Sequence, residues 1–156
     1  MQSLLNHTAK RLILALNIDF SNESFKKMIL KLKYGFDGTH CETYNQRWED
    51  NTNSDSHIFC SSIVPIELCD AETHVALWKN PKPSSVKLCR PIRLLFKRES
   101  TDVTIEEHKF LEDQIENLRD FGTPEYSIKF DLALTMIDGK VLISTLKKKY
   151  LIFICY

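Results

Sequence analysis

The sequence predicts an α/β fold, a mixed sheet with flanking helices, and three observations carry that prediction. Two stretches about a hundred residues apart, 28–36 and 126–136, alternate apolar and polar side chains with the period of two that a half-buried strand requires. Between them, 104–121 carries an apolar repeat of helical period. A chain of 156 residues, 43% of them hydrophobic, is long enough for one domain with a real core.

Residues 1–18 read as a short helix, with Ser3 as its cap and Leu5, Leu12 and Leu16 on roughly one face. A polar break at 19–24 separates it from the first strand, in which Met28, Leu30, Leu32, Tyr34 and Phe36 form one face. Asp37-Gly38 is a turn signal and is expected to end that strand. The polar stretch 39–56 reads as an exposed loop. Strands follow at 58–68, around 75–78 and at 86–96, where Pro91 marks an edge or a bulge. Thr104-Ile105-Glu106-Glu107 has the form of a capping box. The helix it opens places Ile105, Leu111, Ile115 and Leu118 on the sheet and its acidic face in water, with Gly122 and Pro124 closing it. The last clear strand runs from Tyr126 and ends, like the first, in an Asp-Gly pair, Asp138-Gly139.

Composition narrows the classes. No stretch reaches the ~18 uninterrupted apolar residues of a membrane helix. The run Leu12-Ile13-Leu14-Ala15-Leu16 is too short for a signal peptide core and lacks a cleavage site, so the chain is expected not to be secreted, and the sequons at Asn6 and Asn22 carry little weight. Five cysteines with no C-x-x-C suit a reducing compartment. Basic and acidic residues balance at 21 each, so local charge matters more than the net.

Three constellations could carry chemistry. Asp37 and Asp138 each end a strand, where a carboxylate is held firmly; a pair on adjacent strands can share divalent cations such as Mg²⁺. The plain reading is two turns. Parity also separates them, because Asp138 is in phase with its strand's apolar face while Asp37 is in phase with Lys31 and Lys33. A bulge at Gly35 would reconcile them. The second constellation is the segment 79–98, with seven basic residues and no acidic one, followed by 102–125 with eight acidic and two basic. This is either mutual compensation or a phosphate-contacting surface led by Lys87, Arg90, Arg93, Lys97 and Arg98. The third, His57-x-x-Cys60 with Cys69-x4-His74, has zinc-ligand chemistry, but both cysteines sit in an apolar run where cysteine ordinarily serves as a small core residue.

Particular strings go further. Lys31-Leu32-Lys33-Tyr34-Gly35-Phe36-Asp37-Gly38-Thr39 resembles the first catalytic-aspartate segment of Transib DNA transposases and of their relative, the V(D)J recombination-activating protein. Asn80-Pro81 followed by Cys89-Arg90-Pro91-Ile92-Arg93-Leu94 is similar to that family's N-P…C-[KR]-P-[IL]-x-L segment. Ile128-Lys129-Phe130 leading to Ile137-Asp138-Gly139-Lys140 resembles the strand that delivers the second aspartate. The three strings stand in the family's order and cover roughly residues 28–141.

The resemblance implies an RNase H-like core, an Asp-Asp-Glu triad on Mg²⁺ or Mn²⁺, and DNA cleavage and strand transfer. Asp37 would bridge the metals from the central strand and Asp138 would complete one side. It further implies DNA as partner and a nuclear setting, with a cytoplasmic one and a homodimer left open. The family's third carboxylate and zinc-binding insertion have no match here: Cys155 stands near the first zinc ligand without its C-x-x-C partner. The resulting division is an N-terminal helical lead-in (1–27), an RNase H-like catalytic-core fragment, partial and truncated (28–141), and a divergent apolar tail (142–156). The expected activity is that of a fragment inactive by itself. The competing reading is a non-enzymatic α/β interaction module whose Asp-Gly pairs are turns.

Overall fold

Leu5, Ala9 and Ile13 recur every four residues and form the buried stripe of α1 (Gln2–Leu16) in the computed structural model, which describes residues 1–18, 26–40 and 57–136. Leu12 and Leu16 pack at its margin. Ser3 does not cap this helix. Met1 is the N-cap, without a side-chain bond, and Asn17 closes the other end in the left-handed conformation (φ 47°).

The sheet is built around β1 (Lys27–His40), whose alternation is as read: Met28, Leu30, Leu32, Tyr34 and Phe36 are all buried. Its antiparallel neighbour is β2 (His57–Asp70), paired from Met28↔Asp70 to His40↔His57 with one slip beside Lys31. The far edge of β2 is shared by β3 (Ala76–Lys79) and β4 (Arg90–Leu95), both antiparallel. On the other side β1 pairs in parallel with β6 (Ser127–Met136), which makes a short hairpin with β5 (Phe121–Gly122). The order is β3-β2-β1-β6-β5, with β4 also beside β2, so the sheet is mixed and β1 is central. Between β4 and β6 runs α2 (Thr101–Glu116). Leu111 of α2 and the α1 stripe join one cluster with the inner row of β1, which puts both helices on the same face. Gln2 fastens the helix ends, with Nε2 donating to the Arg119 carbonyl (3.0 Å) and Oε1 accepting from its N–H (2.8 Å).

Several expectations need correction. Asp37-Gly38 does not end β1: Gly38 pairs with Phe59 and Thr39 with Ile58, and among the described residues no glycine has positive φ. A turn signal gives way when a neighbouring strand offers ladder bonds on through it. The proposed strand 86–96 starts late, because 86–88 forms a 3₁₀ turn in which Ser85 Oγ accepts from Lys87 N–H (3.3 Å). Pro91 does lie at an irregularity: the β2–β4 register slips between Ser61↔Arg93 and Ser62↔Pro91, on a strand that among the described residues pairs only with β2. The capping box is also misplaced. Ser100 is the N-cap of α2, accepting from Val103 N–H (3.3 Å), and Thr104 is buried one turn inside. The helix ends at Glu116 with Asn117 as its cap, so Gly122 belongs to β5 and not to a helix terminus. Of the loop read at 39–56, Thr39 and His40 belong to β1, and 41–56 lies outside the described residues, as do the tail 142–156 and Asp138.

Candidate functional site

At the C-terminal end of β1 the alternation puts Asp37 on the face opposite the helices, in phase with Lys31 and Lys33, and exposed. The Gly38 N–H donates to Asp37 Oδ1 (2.9 Å), which steadies the carboxylate. Beyond it opens a cleft of about 430 Å³ lined by Gly38, Thr39, His57, Arg98 and Glu99. Glycine at 38 makes room for that wall, since a Cβ there would lie 2.6 Å from Glu99 Oε2. Strand ends and the β4–α2 connection thus bring His57, Arg98 and Glu99 together beside Gly38 and Thr39, while Asp37 is not among the residues that line the cleft.

The bulge that parity called for is present. β1 and β6 run in step from Lys27↔Ser127 to Tyr34↔Leu134, and then Gly35 pairs with Met136, leaving Thr135 as the extra residue. Gly35 is what permits it. A Cβ at this position would overlap the Met136 carbonyl and lie 2.6 Å from Met136 Cβ.

The five basic residues read as one surface divide. Lys87, Lys97 and Arg98 are exposed, and Arg90 is half-buried with Nη1 on the Lys87 carbonyl (3.5 Å). Lys97 lies 3.8 Å from Glu106. Arg93 turns inward. Its Nη2 is 2.5 Å from Glu107 Oε2, and its guanidinium lies 4.2 Å over the Phe110 ring.

Glu107 is therefore not in water, as the acidic face of α2 was expected to be, but 1% exposed on the sheet-facing side. Its contact with Arg93 is an ion pair without hydrogen-bond alignment: both Glu107 oxygens, Arg93 Nε and Ser61 Oγ lack a hydrogen-bond partner among the described residues. The sequence signal was available, because Thr104, Glu107 and Leu111 follow the helical spacing of the buried stripe.

A second polar centre was also missed. Asp70 closes the β2–β3 turn by accepting from Thr73 N–H (2.7 Å), Thr73 Oγ1 (2.7 Å) and Glu72 N–H (3.2 Å). The Thr73 bonds hold its carboxyl below the usual carboxylate range. On the open face Glu67 bridges Lys31 (3.1 Å) and Lys79 (3.4 Å), and the Lys31 hydrogen bond lowers its pKa.

Cys60 and Cys69 stand nine residues apart on extended β2, too far along one strand to share a zinc ion. Burial pushes both thiols up. Among the described residues no three His, Cys, Asp or Glu side chains are grouped to hold a metal, and no helix is long and apolar enough to cross a membrane. No protein-family model matches the chain, and no curated protein matches it.

Proposed function

We propose that this chain is a piece of the catalytic core of a DNA recombinase or transposase, RNase H-like in its sheet, in which Asp37 and Asp138 hold divalent cations for phosphoryl transfer. The one-residue slip between β1 and β6 supports it most. Asp37 follows Gly35 by two residues and Asp138 follows Met136 by two, so the slip gives both carboxylates the same count beyond a paired rank. Without it Asp37 would rank with Ile137. The central place of β1 agrees with the role the resemblance implies for Asp37.

Carboxylate oxygens are hard donors suited to Mg²⁺ or Mn²⁺, and Asp37 is exposed and steadied by the Gly38 N–H. Bound there, such ions supply activation of a water or 3′-hydroxyl and stabilisation of the leaving oxygen. The chain's own part is to hold them at the strand ends. Lys87, Arg90, Lys97 and Arg98 supply positive charge toward a DNA phosphate, while Arg93 is committed to Glu107. Two carboxylates offer fewer charged ligands than three, so this reading expects weak cation binding without strand cleavage.

The test is Mn²⁺ binding followed by electron paramagnetic resonance, beside a plasmid-nicking assay. Asp37→Asn and Asp138→Asn should each weaken Mn²⁺ binding by about tenfold or more, with no nicking by the parent chain. Unchanged affinity in both variants overturns the shared site. Nicking that Asp37→Asn abolishes overturns the expected inactivity and shows that another acidic residue completes the triad.

A further inference from the structure

Buried polar side chains elsewhere in this fold find partners. Thr8 Oγ1 donates to the Leu4 carbonyl (2.8 Å), Asn80 Nδ2 donates to the Pro65 carbonyl (2.8 Å), and Asp70 accepts from Thr73 and Glu72. The buried side-chain atoms left without a hydrogen-bond partner among the described residues all belong to one group: Ser61 Oγ, Arg93 Nε and the two Glu107 oxygens. Native interiors rarely leave such atoms unsatisfied, because each one costs free energy.

Three elements bring the group together. Ser61 of β2 stands directly across from Arg93 of β4, in the row that buries Phe59 and Ile63. Partners so placed in an antiparallel pair have Cβ atoms about 4.5–5.5 Å apart. α2 brings in Glu107, whose Oε2 lies 2.5 Å from Arg93 Nη2. Ser61 is also the short member of its row. Phe59 and Ile63 on either side exceed it in volume by more than the ~30 Å³ share of a water molecule in the liquid.

The chemistry of the atoms names the ligand class. Arg93 Nε–H can only donate, a Glu107 carboxylate oxygen can only accept, and the Ser61 hydroxyl can do either. A cation would suit the carboxylate and oppose the guanidinium, and an anion the reverse. A small neutral molecule that both donates and accepts satisfies all three.

We propose that Ser61, Arg93 and Glu107 hold an internal water molecule where β2, β4 and α2 meet. It accepts from Arg93 Nε–H, donates to Glu107 Oε1 and shares a third hydrogen bond with the Ser61 hydroxyl, which is the usual number for a buried water. Glu107 Oε2 keeps its ion pair with Arg93 Nη2. The water brings no charge, so it does not replace Arg93 as the cation opposite Glu107. The site stands apart from Asp37 and does not depend on cation binding there.

Oxygen-17 relaxation dispersion of the solvent, which counts waters held inside a protein for longer than it tumbles, tests this on the full chain. The parent should show long-lived water, and Ser61→Val, whose branched side chain fills the space, should lose one molecule's worth of the dispersion amplitude. No long-lived water in the parent overturns the proposal, and so does an equal amplitude in a folded Ser61→Val. Should that variant fail to fold, a crystal structure of the parent decides. A solvent peak about 2.7–3.2 Å from Ser61 Oγ, Arg93 Nε and Glu107 Oε1 is expected. Direct hydrogen bonds among those three side chains, with no peak between them, overturn the site.

Discussion

Replacing Arg93 by Met is the most informative single perturbation of this fold. The Glu107 carboxylate is 1% exposed, neither of its oxygens has a hydrogen-bond partner among the described residues, and Arg93 is the cation against it. Arg93→Met removes that cation while keeping an apolar stem over Phe110. A buried charge stripped of its partner costs about 3–5 kcal/mol. Against a total stability of about 5–15 kcal/mol this is a large share. It corresponds to a melting temperature lower by roughly 10 °C for a chain of this size. Removing both charges reverses the logic. With Glu107→Met added, the desolvation cost disappears too, and the double variant should return to within about 1 kcal/mol of the parent or exceed it. Urea unfolding of the parent, both single variants and the double variant gives the coupling directly. A loss below about 1 kcal/mol for Arg93→Met, with no recovery in the double variant, would refute the reasoning, since Glu107 would then be reaching water or another partner.

Gly35→Ala should destabilise by about 1–3 kcal/mol or more, measured by the same unfolding experiment, because the new methyl overlaps the Met136 backbone and backbone cannot swing aside as a side chain can. Asp70→Ala should cost about 1.5–3 kcal/mol near neutral pH, through loss of the charged acceptor for Thr73 and Glu72. The folded pKa of Asp70 is lowered, so its contribution is fully present above the unfolded value and fades as pH falls below about 4; parent and variant should converge in acid, and a gap that stays constant down to pH 2 would contradict this account.

Period-two alternation was the most legible signal. The inner rows of β1 and β6 could be named residue by residue, because each strand buries one face against the helices. Boundaries were harder wherever a local signal competed with a neighbour. Asp37-Gly38 has turn chemistry, yet the ladder with β2 carries the backbone through it. Thr104 fits a capping box, yet Ser100 four residues earlier caps the helix, whose buried stripe includes Thr104 itself. The inward turn of Arg93 was hidden for a different reason. Its neighbours along the chain are basic, and only the packing of α2 across β4 supplies Glu107 as a partner. The slip at Gly35 was visible as a parity conflict, but its place on the β6 side required the paired strand.

The pairing of β1 with β6 also sets an order of events. β1, β2 and β3 are consecutive in the chain and antiparallel, so they can zip from their connections with modest loop closure. Lys27 and Ser127, by contrast, meet across about a hundred residues, in the parallel sense that forms slowly. During synthesis from the N-terminus, β1 exists long before its partner does, with the Gly35 side of its ladder unsatisfied. Lys31 and Lys33 put charge on that temporary edge, the kind of side chain that opposes edge-to-edge pairing of strands.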